Sequence, residues 1–318
     1  MRTIVTHNSP DLDAIASSWI IKRFLPGWQD AEVITVPAGG RLNTRRAEGD
    51  VIEHLDDKEI IHVDTGMGPL DHHQTHDDNT CATERAFAYV LKHSEELKDN
   101  KHKADAIRRL VEYVIDDDHF QEVFFPDAAA DIYEFSMVGL IAGIKVQYPR
   151  DDQTCLRFGF DLLEAAVHGM EERLWAEEEI KEKGIQFNTR WGKGIAMETL
   201  NDETLKLAQI LGYVIAVRKD PKSGAVRIKA RPAKRRVPSD NKNEEITVDT
   251  HGTRDTLDTP QIDLTPVYEK LLKMDPEATW FLHVSKRMLL NGSTKNPGMR
   301  GSKLTLSEVV EVLQNLQI

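Results

Sequence analysis

A β-branched run, Arg2-Thr3-Ile4-Val5-Thr6, gives way to His7-Asn8-Ser9-Pro10-Asp11-Leu12-Asp13 and then to a helical pattern through Phe24. A strand that must turn at once into a helix is the opening of a βα unit, so this stretch constrains the fold most. Within the helical part, Ile15, Trp19 and Ile20 recur at helical spacing. Lys22 and Arg23 near its end suit the helix dipole, and Pro26-Gly27 stops it. Two more apolar runs follow: Val33-Ile34-Thr35-Val36, ending at Pro37-Ala38-Gly39-Gly40, and Ile60-Ile61-His62-Val63, running into Asp64-Thr65-Gly66. Strand, helix, strand, loop, strand predicts a parallel sheet with flanking helices, whose ligands gather at the carboxyl ends of the strands.

From Cys81 the pattern turns helical. Ala86, Tyr89 and Val90 begin one segment, and Ile107, Leu110, Val111 and Val114 form a stripe ahead of Asp116-Asp117-Asp118. Ser136 to Gln147 reads as a further helix and Phe158 to Lys183 as a long, highly charged one. Beyond about residue 185, Ile210 to Arg218 and Ala225 to Arg231 read as strands joined by the turn Asp220-Pro221-Lys222-Ser223-Gly224. Trp280 to Ser285 reads as a strand and Leu304 to Leu316 as a closing helix. The expected organisation is an α/β domain over 1–150, a helical linker over 151–190 and a smaller α+β domain over 191–318.

Three clusters carry chemistry. His7, Asp11 and Asp13 place an imidazole and two carboxylates within seven residues at a strand's carboxyl edge. Neighbouring carboxylates repel unless a positive charge sits between them, and this donor set suits a divalent transition metal. The plainer reading is that Asp11 or Ser9 caps the helix and His7 ends the strand. Asp64 ends the third strand, and Asp71-His72-His73 follows seven residues later; alone, that triplet would be an exposed polar loop. Together the two clusters favour a dinuclear metal centre. The third, Asp116-Asp117-Asp118-His119, is either a solvated helix end or a further source of ligands, since a helix C-terminus disfavours consecutive carboxylates.

The order His-x-x-x-Asp-x-Asp, a strand-end Asp, Asp-His-His and a further Asp resembles the DHH phosphoesterase superfamily, which includes RecJ-type exonucleases, oligoribonucleases, cyclic-dinucleotide phosphodiesterases and family II pyrophosphatases. Thr6-His7-Asn8, Asp71-His72-His73-Gln74, Tyr113-Val114-Ile115-Asp116 and Phe281-Leu282-His283-Val284-Ser285 are similar to segments of the melanocyte-proliferating-gene-type exonuclease subgroup. The resemblance implies two divalent ions, manganese before magnesium. His7, Asp11 and Asp64 would hold one, and Asp13, Asp64, His72 and Asp116 the other, with Asp64 bridging. His73 would face the substrate phosphate, and Asp71 would orient the histidine pair. The subgroup's glycine-rich C-terminal signature is not followed: Leu290-Asn291-Gly292-Ser293-Thr294-Lys295 stands there, and Lys286-Arg287 follows the histidine-containing strand.

The chain carries 41 Lys and Arg against 53 Asp and Glu, a net charge of −12, which argues against coating nucleic acid by bulk charge. Yet nine of the nineteen residues from Arg218 to Arg236 are basic: Arg218, Lys219, Lys222, Arg227, Lys229, Arg231, Lys234, Arg235 and Arg236. Arg227, Lys229 and Arg231 share one face of a strand and would meet successive phosphates, unless they merely guard a solvated edge strand. A second anion cradle is expected at Gly292, Ser293, Thr294, Lys295 and Arg300-Gly301-Ser302-Lys303, the alternative being a basic turn. Trp191 is the better candidate for base stacking and Trp280 for core, while Cys81 and Cys155 read as small buried hydrophobes rather than a disulfide. No run approaches the ~18 apolar residues of a membrane span, and no signal peptide pattern stands at Met1, so a cytoplasmic protein is expected. The functional expectation is a metal-dependent hydrolase of single-stranded RNA or DNA, or of short oligonucleotides, with a homodimer compatible. The alternatives are hydrolysis of a small phosphorylated molecule and, from another class, a non-catalytic nucleic-acid-binding protein.

Overall fold

The computed structural model describes residues 1–42, 49–233, 261–292 and 296–316. It is a mixed α/β chain that divides into two compact units, Met1–Glu171 and Glu172–Ile318. The division falls inside one long helix, within the segment expected to link the domains.

The first unit is built on a four-stranded sheet of β1 (Arg2–His7), β2 (Glu32–Val36), β3 (Glu53–Leu55) and β4 (Lys58–His62), in the order β2-β1-β4-β3. β1 pairs in parallel with both β2 and β4, as the sequence rhythm requires. The antiparallel edge strand β3 was not foreseen; three residues become a strand only because the turn at Asp56-Asp57 folds them back on β4. β1 and β4 are buried on both faces, and Ile4, Val5, Ile60 and Ile61 are wholly enclosed. Each such side chain contributes about 1.5–3 kcal/mol by leaving water.

Helix α1 (Leu12–Phe24) is buried almost all round, between β1 and the helices α2 (Ala82–His93) and α4 (Lys101–Asp118). A short helix α3 (Glu95–Asp99) joins the latter two. Two 3-10 turns, Gln121–Phe124 and Asp131–Phe135, lead to α5 (Met137–Gln147), capped by Ser136 as its sequence suggests, and to α6 (Asp152–Lys183). Gly159 lets α6 lie close on α1, since a Cβ there would sit 2.5 Å from Ile15 Cγ2.

The second unit holds a six-stranded sheet of β5 (Ile185–Thr189), β6 (Gly192–Glu198), β7 (Ile215–Lys219), β8 (Val226–Ala230), β9 (Phe281–Leu282) and β10 (Met288–Leu290), ordered β5-β6-β7-β8-β10-β9. The expected β7–β8 hairpin is present. Ile210 to Tyr213, however, do not belong to its first strand: Ile210 closes α7 (Glu203–Ile210), whose Leu205 and Ala208 pack on Ile195, Met197 and Ala216. The opposite sheet face packs on α8 (Thr265–Met274) and α9 (Leu306–Gln314), the latter opened by the capping box Thr305–Glu308. Trp280 is core, as expected, and its indole N–H donates to Asp275 O. The predicted strand over Trp280 to Ser285 shrinks to β9's two residues. Among the described residues no helix is long and apolar enough to cross a membrane.

Candidate metal centre

The carboxyl ends of β1 and β4 lie side by side, and the clusters written far apart in sequence meet there. β1 ends at His7. Asp11 caps α1, its Oδ1 accepting from Ala14 N at 3.0 Å, while its Oδ2 lies 3.5 Å from His7 Nε2. The capping and ligating readings of Asp11 therefore coexist on its two oxygens. Asp64 stands just past β4 in a left-handed conformation (φ 51°), which aspartate tolerates better than most residues. Its Oδ2 is 3.1 Å from His7 Nε2 and its Oδ1 is 3.5 Å from His72 Nε2. One carboxylate thus faces two donor sets.

On the second side, His72 Nε2 also lies 3.4 Å from Asp118 Oδ2 and 3.7 Å from Asp13 Oδ2. The resemblance implies Asp116 here, whereas the carboxylate that lies beside His72 is Asp118. Asp116 is exposed, whereas Asp118 continues the buried α4 stripe of Ile107, Leu110, Val111 and Val114, four residues beyond Val114. That stripe was the signal that could have picked Asp118 out. His119 joins the same side, 3.8 Å from Asp118, with its Nε2 bonded to Thr80 O. Among the described residues, three trios have donor atoms within 4.8 Å of one another: Asp64-His72-His73, His72-Asp118-His119 and His7-Asp11-Asp64.

Asp13 is buried and doubly engaged: its carboxylate accepts from Ala82 N (2.8 Å) and Thr83 N (2.7 Å), capping α2 in place of Cys81, whose side chain makes no capping bond. Asp71 is buried too. It accepts from Met67 N, His73 N and His73 Nδ1, the last at 2.7 Å, so it holds His73 at the rim of the cluster. His73 Nδ1 lies 3.7 Å from Asp64 Oδ1. Behind Asp64, the turn is fixed by Arg41, which donates to Gly66 O and pairs with Glu53, and by Thr65, whose hydroxyl donates to Gly40 O. Glu53 also accepts from His62 Nδ1, and His62 Nε2 accepts from Leu42 N, so this buried histidine is paired on both ring nitrogens. Sequence reasoning missed this network because β3, which carries Glu53, was itself missed.

Electrostatics show what the donor set lacks. Burial, with Asp64 and Asp118 alongside, pushes the Asp13 carboxyl up to about 7. Burial opposes a charge on His7, yet hydrogen bonds to Asp11 and Asp64 overcome it and raise the imidazole to about 11. The Asp64 carboxylate beside it, against burial and with Asp118 and Asp13 nearby, raises His72 to about 9. Without a cation the cluster draws in protons.

A pH dependence follows. His7's contribution to stability is complete below its unfolded value of 6.5 and is lost as pH climbs through 11, while the contribution of the neutral Asp13 carboxyl is lost between its unfolded value of 3.8 and about 7. A metal replaces the protons and binds more tightly as pH rises. The metal-free protein is therefore expected to melt at progressively lower temperature from pH 6 to pH 9, and the gap between manganese-loaded and chelator-treated samples to widen. Scanning calorimetry checks this; a gap that narrows with pH refutes it.

The donor set fits divalent cations. Asp64 Oδ1, His72 Nε2 and Asp118 Oδ2 are buried and make no hydrogen bond, although each lies within 3.5 Å of another. Oxygen and nitrogen ligands about 2.1 Å from a shared ion stand roughly 3–3.5 Å apart.

The basic segment of the second unit is partly engaged within its own fold, and the alternative of a solvated edge strand does not hold. β8 lies between β7 and β10, not at an edge. Arg218, only 8 % exposed, and Arg227 both pair with Asp202, and Arg218 also donates to Thr199 O. Lys219 is bonded to Ser302 O and Leu304 O. Lys229 is half-buried, and burial together with Arg227 lowers its pKa; Arg231 is half-buried as well. Gly292 and Gly301 back onto the Ser223–Ala225 turn: a Cβ at Gly301 would meet Ser223 O, and one at Gly292 would meet Ala225. Arg300 is exposed, whereas Ser302 and Lys303 are engaged with Asp275 and Glu277. Ser293, Thr294 and Lys295, like Lys234, Arg235 and Arg236, lie outside the described residues. Trp191 packs against the core with the Arg190 guanidinium over its ring. Cys81 and Cys155 are free and buried.

No family model and no curated protein matches the chain. An uncharacterized protein from Helicobacter pylori G27 aligns with 98% of this chain and 99% of its own at 14% identity, with a TM-score of 0.30. A protein from Methanococcus jannaschii, described as a family II inorganic pyrophosphatase, aligns with 72% of this chain and 87% of its own at 16% identity, with a TM-score of 0.20. At these scores neither likeness bears on function, which rests on the chain's own residues.

Proposed function

We propose that this chain is a divalent-metal-dependent phosphoester hydrolase with a two-ion centre, acting on single-stranded nucleic acid or short oligonucleotides. The observation that carries the reading is the division of one carboxylate: Asp64 offers Oδ2 to His7 and Oδ1 to His72, with unbonded buried donors on the second side. His7, Asp11 and Asp64 would hold one ion, and Asp64, His72, Asp118 and Asp13 the other. When bound, such a pair neutralises phosphate charge, lowers the pKa of water and stabilises a leaving oxygen. Manganese suits the mixed imidazole and carboxylate donors better than magnesium.

The chain's own groups do the rest. Asp71 accepts a hydrogen bond from His73 Nδ1–H, which leaves Nε2 to meet a phosphate oxygen or the departing group. Met67 N and His73 N, both donating to Asp71, keep that ring from swinging away. Asp13, gripped by the first turn of α2, holds its oxygens still against His72.

Lys229 and Arg231, with Arg300, are the described basic groups proposed to carry phosphates away from the reacting one. A second reading, a small phosphorylated substrate, is favoured by the pairing of Arg218 and Arg227 with Asp202, which engages one of the three stripe residues, and Arg218 beside it, within the fold. Charge reversal at Lys229 and Arg231 separates the two. For a polymer substrate, cleavage of a 20-nucleotide strand at low salt should fall at least about tenfold, with a generic small diester changed less than about twofold. Equal loss on both, or none on the strand, supports the small substrate. The primary assay is turnover of 5′- and 3′-labelled single strands of several lengths with manganese; no turnover of these or of a generic phosphodiester overturns the proposal.

A further inference from the structure

The loop between His7 and Asp11 depends on a residue far away in sequence. Ser9 sits at its middle in the left-handed region (φ 53°), an uncommon conformation for a residue other than glycine, asparagine or aspartate. Such a residue persists only where its surroundings over-determine it. Both polar groups of Ser9's backbone are taken by side chains from beyond residue 140. Its N–H donates to Asp152 Oδ1 at 3.2 Å, and its carbonyl accepts from Lys145 Nζ at 3.0 Å. The other Asp152 oxygen accepts from the Thr35 hydroxyl of β2 at 3.0 Å, so the carboxylate is itself anchored to the sheet. Two further bonds reinforce the arrangement: Asn8 N donates to Val36 O, and the Cys155 thiol reaches Pro10 O. Asp152 begins α6, beside Gln153, whose amide donates to Val33 O.

We propose that Asp152 is a positioning residue for the candidate ligands His7 and Asp11, holding the turn at Ser9 so that the two side chains converge on Asp64. This rests on the metal-centre reading above. A ligating side chain two residues from a strained turn changes aim with any relaxation there. Groups that orient ligands typically cost 10–100-fold in metal affinity when lost. The function of Asp152 is geometric. Asparagine can reproduce it: Oδ1 accepts from Ser9 N, and the amide donates to the Thr35 hydroxyl, which reverses its role. Glutamate keeps the charge but displaces the carboxylate by one methylene and should fail.

The test is manganese binding to the full-length chain, followed by the EPR signal of free Mn2+, for wild type and for Asp152→Ala, Asp152→Asn and Asp152→Glu, with metal-free melting curves alongside. At one of two sites, affinity should fall at least about tenfold in the alanine and glutamate variants and stay within about threefold in the asparagine variant. The asparagine and glutamate variants decide the matter even where alanine does not fold. A glutamate variant with wild-type affinity, or an asparagine variant as weak as glutamate, overturns the positioning role and leaves the metal centre standing. Wild-type protein that binds no manganese overturns the centre itself, and the positioning role with it.

Discussion

Asp64→Asn is expected to lower manganese-dependent kcat/KM by at least about 10³-fold, a larger loss than any other single change outside the ligand set, because both donor sets converge on this carboxylate. Asparagine is the informative replacement. It tolerates the left-handed backbone that Asp64 adopts and fills the same buried space, so the fold is not what is tested. It also removes one of the charges that push Asp13 up, which offsets the loss of the His7 contact. The metal-free melting temperature should therefore stay within roughly 4 °C of wild type. Steady-state turnover of a generic phosphodiester, together with manganese stoichiometry by equilibrium dialysis, checks both halves. Two ions bound with near wild-type turnover would falsify the proposal that Asp64 serves both donor sets.

What the sequence revealed and what it hid follow from the range of the interactions. The β1–loop–α1 unit was legible because its determinants are local: a β-branched run, an Asp cap and a helical apolar period stand within 24 residues. The parallel pairing of β1 with β2 and β4 followed from the same rhythm. Hidden features depend on partners whose proximity only the folded chain supplies. Asp13 caps α2 across about 70 residues, Asp152 grips Ser9 across 143, and Asp202 neutralises two of the arginines that looked available. Ile210 and Leu211 resemble a strand by composition, yet α7 claims Ile210 because Leu205 and Ala208 bury one helical face. The basic stripe shows the same limit. Period-two alternation places Arg227 and Lys229 on one face correctly, but it does not say whether that face is solvated.

The choice between Asp116 and Asp118 makes the sharpest contrast. Successive positions on a helix are about 100° apart, so residues two apart point to nearly opposite sides. With Ile107, Leu110, Val111 and Val114 buried, Asp118 points inward and Asp116 outward, whatever the order of residues in a motif suggests. Asp118 also needs a cation more. Burial raises its pKa, Asp64 and Asp11 add to the effect, and its Oδ2 makes no hydrogen bond. Asp118→Ala is accordingly expected to weaken manganese binding at the His72 side by about 10–100-fold and to cut turnover at least about 10²-fold. Asp116→Ala should leave both within about twofold, as surface substitutions usually do. Isothermal titration with manganese and the same diester assay on the two variants settle the assignment. Should Asp116→Ala prove the damaging change, α4 must end in a different helical phase from the one its buried stripe dictates, and His72 would need a ligand partner other than the carboxylate 3.4 Å away.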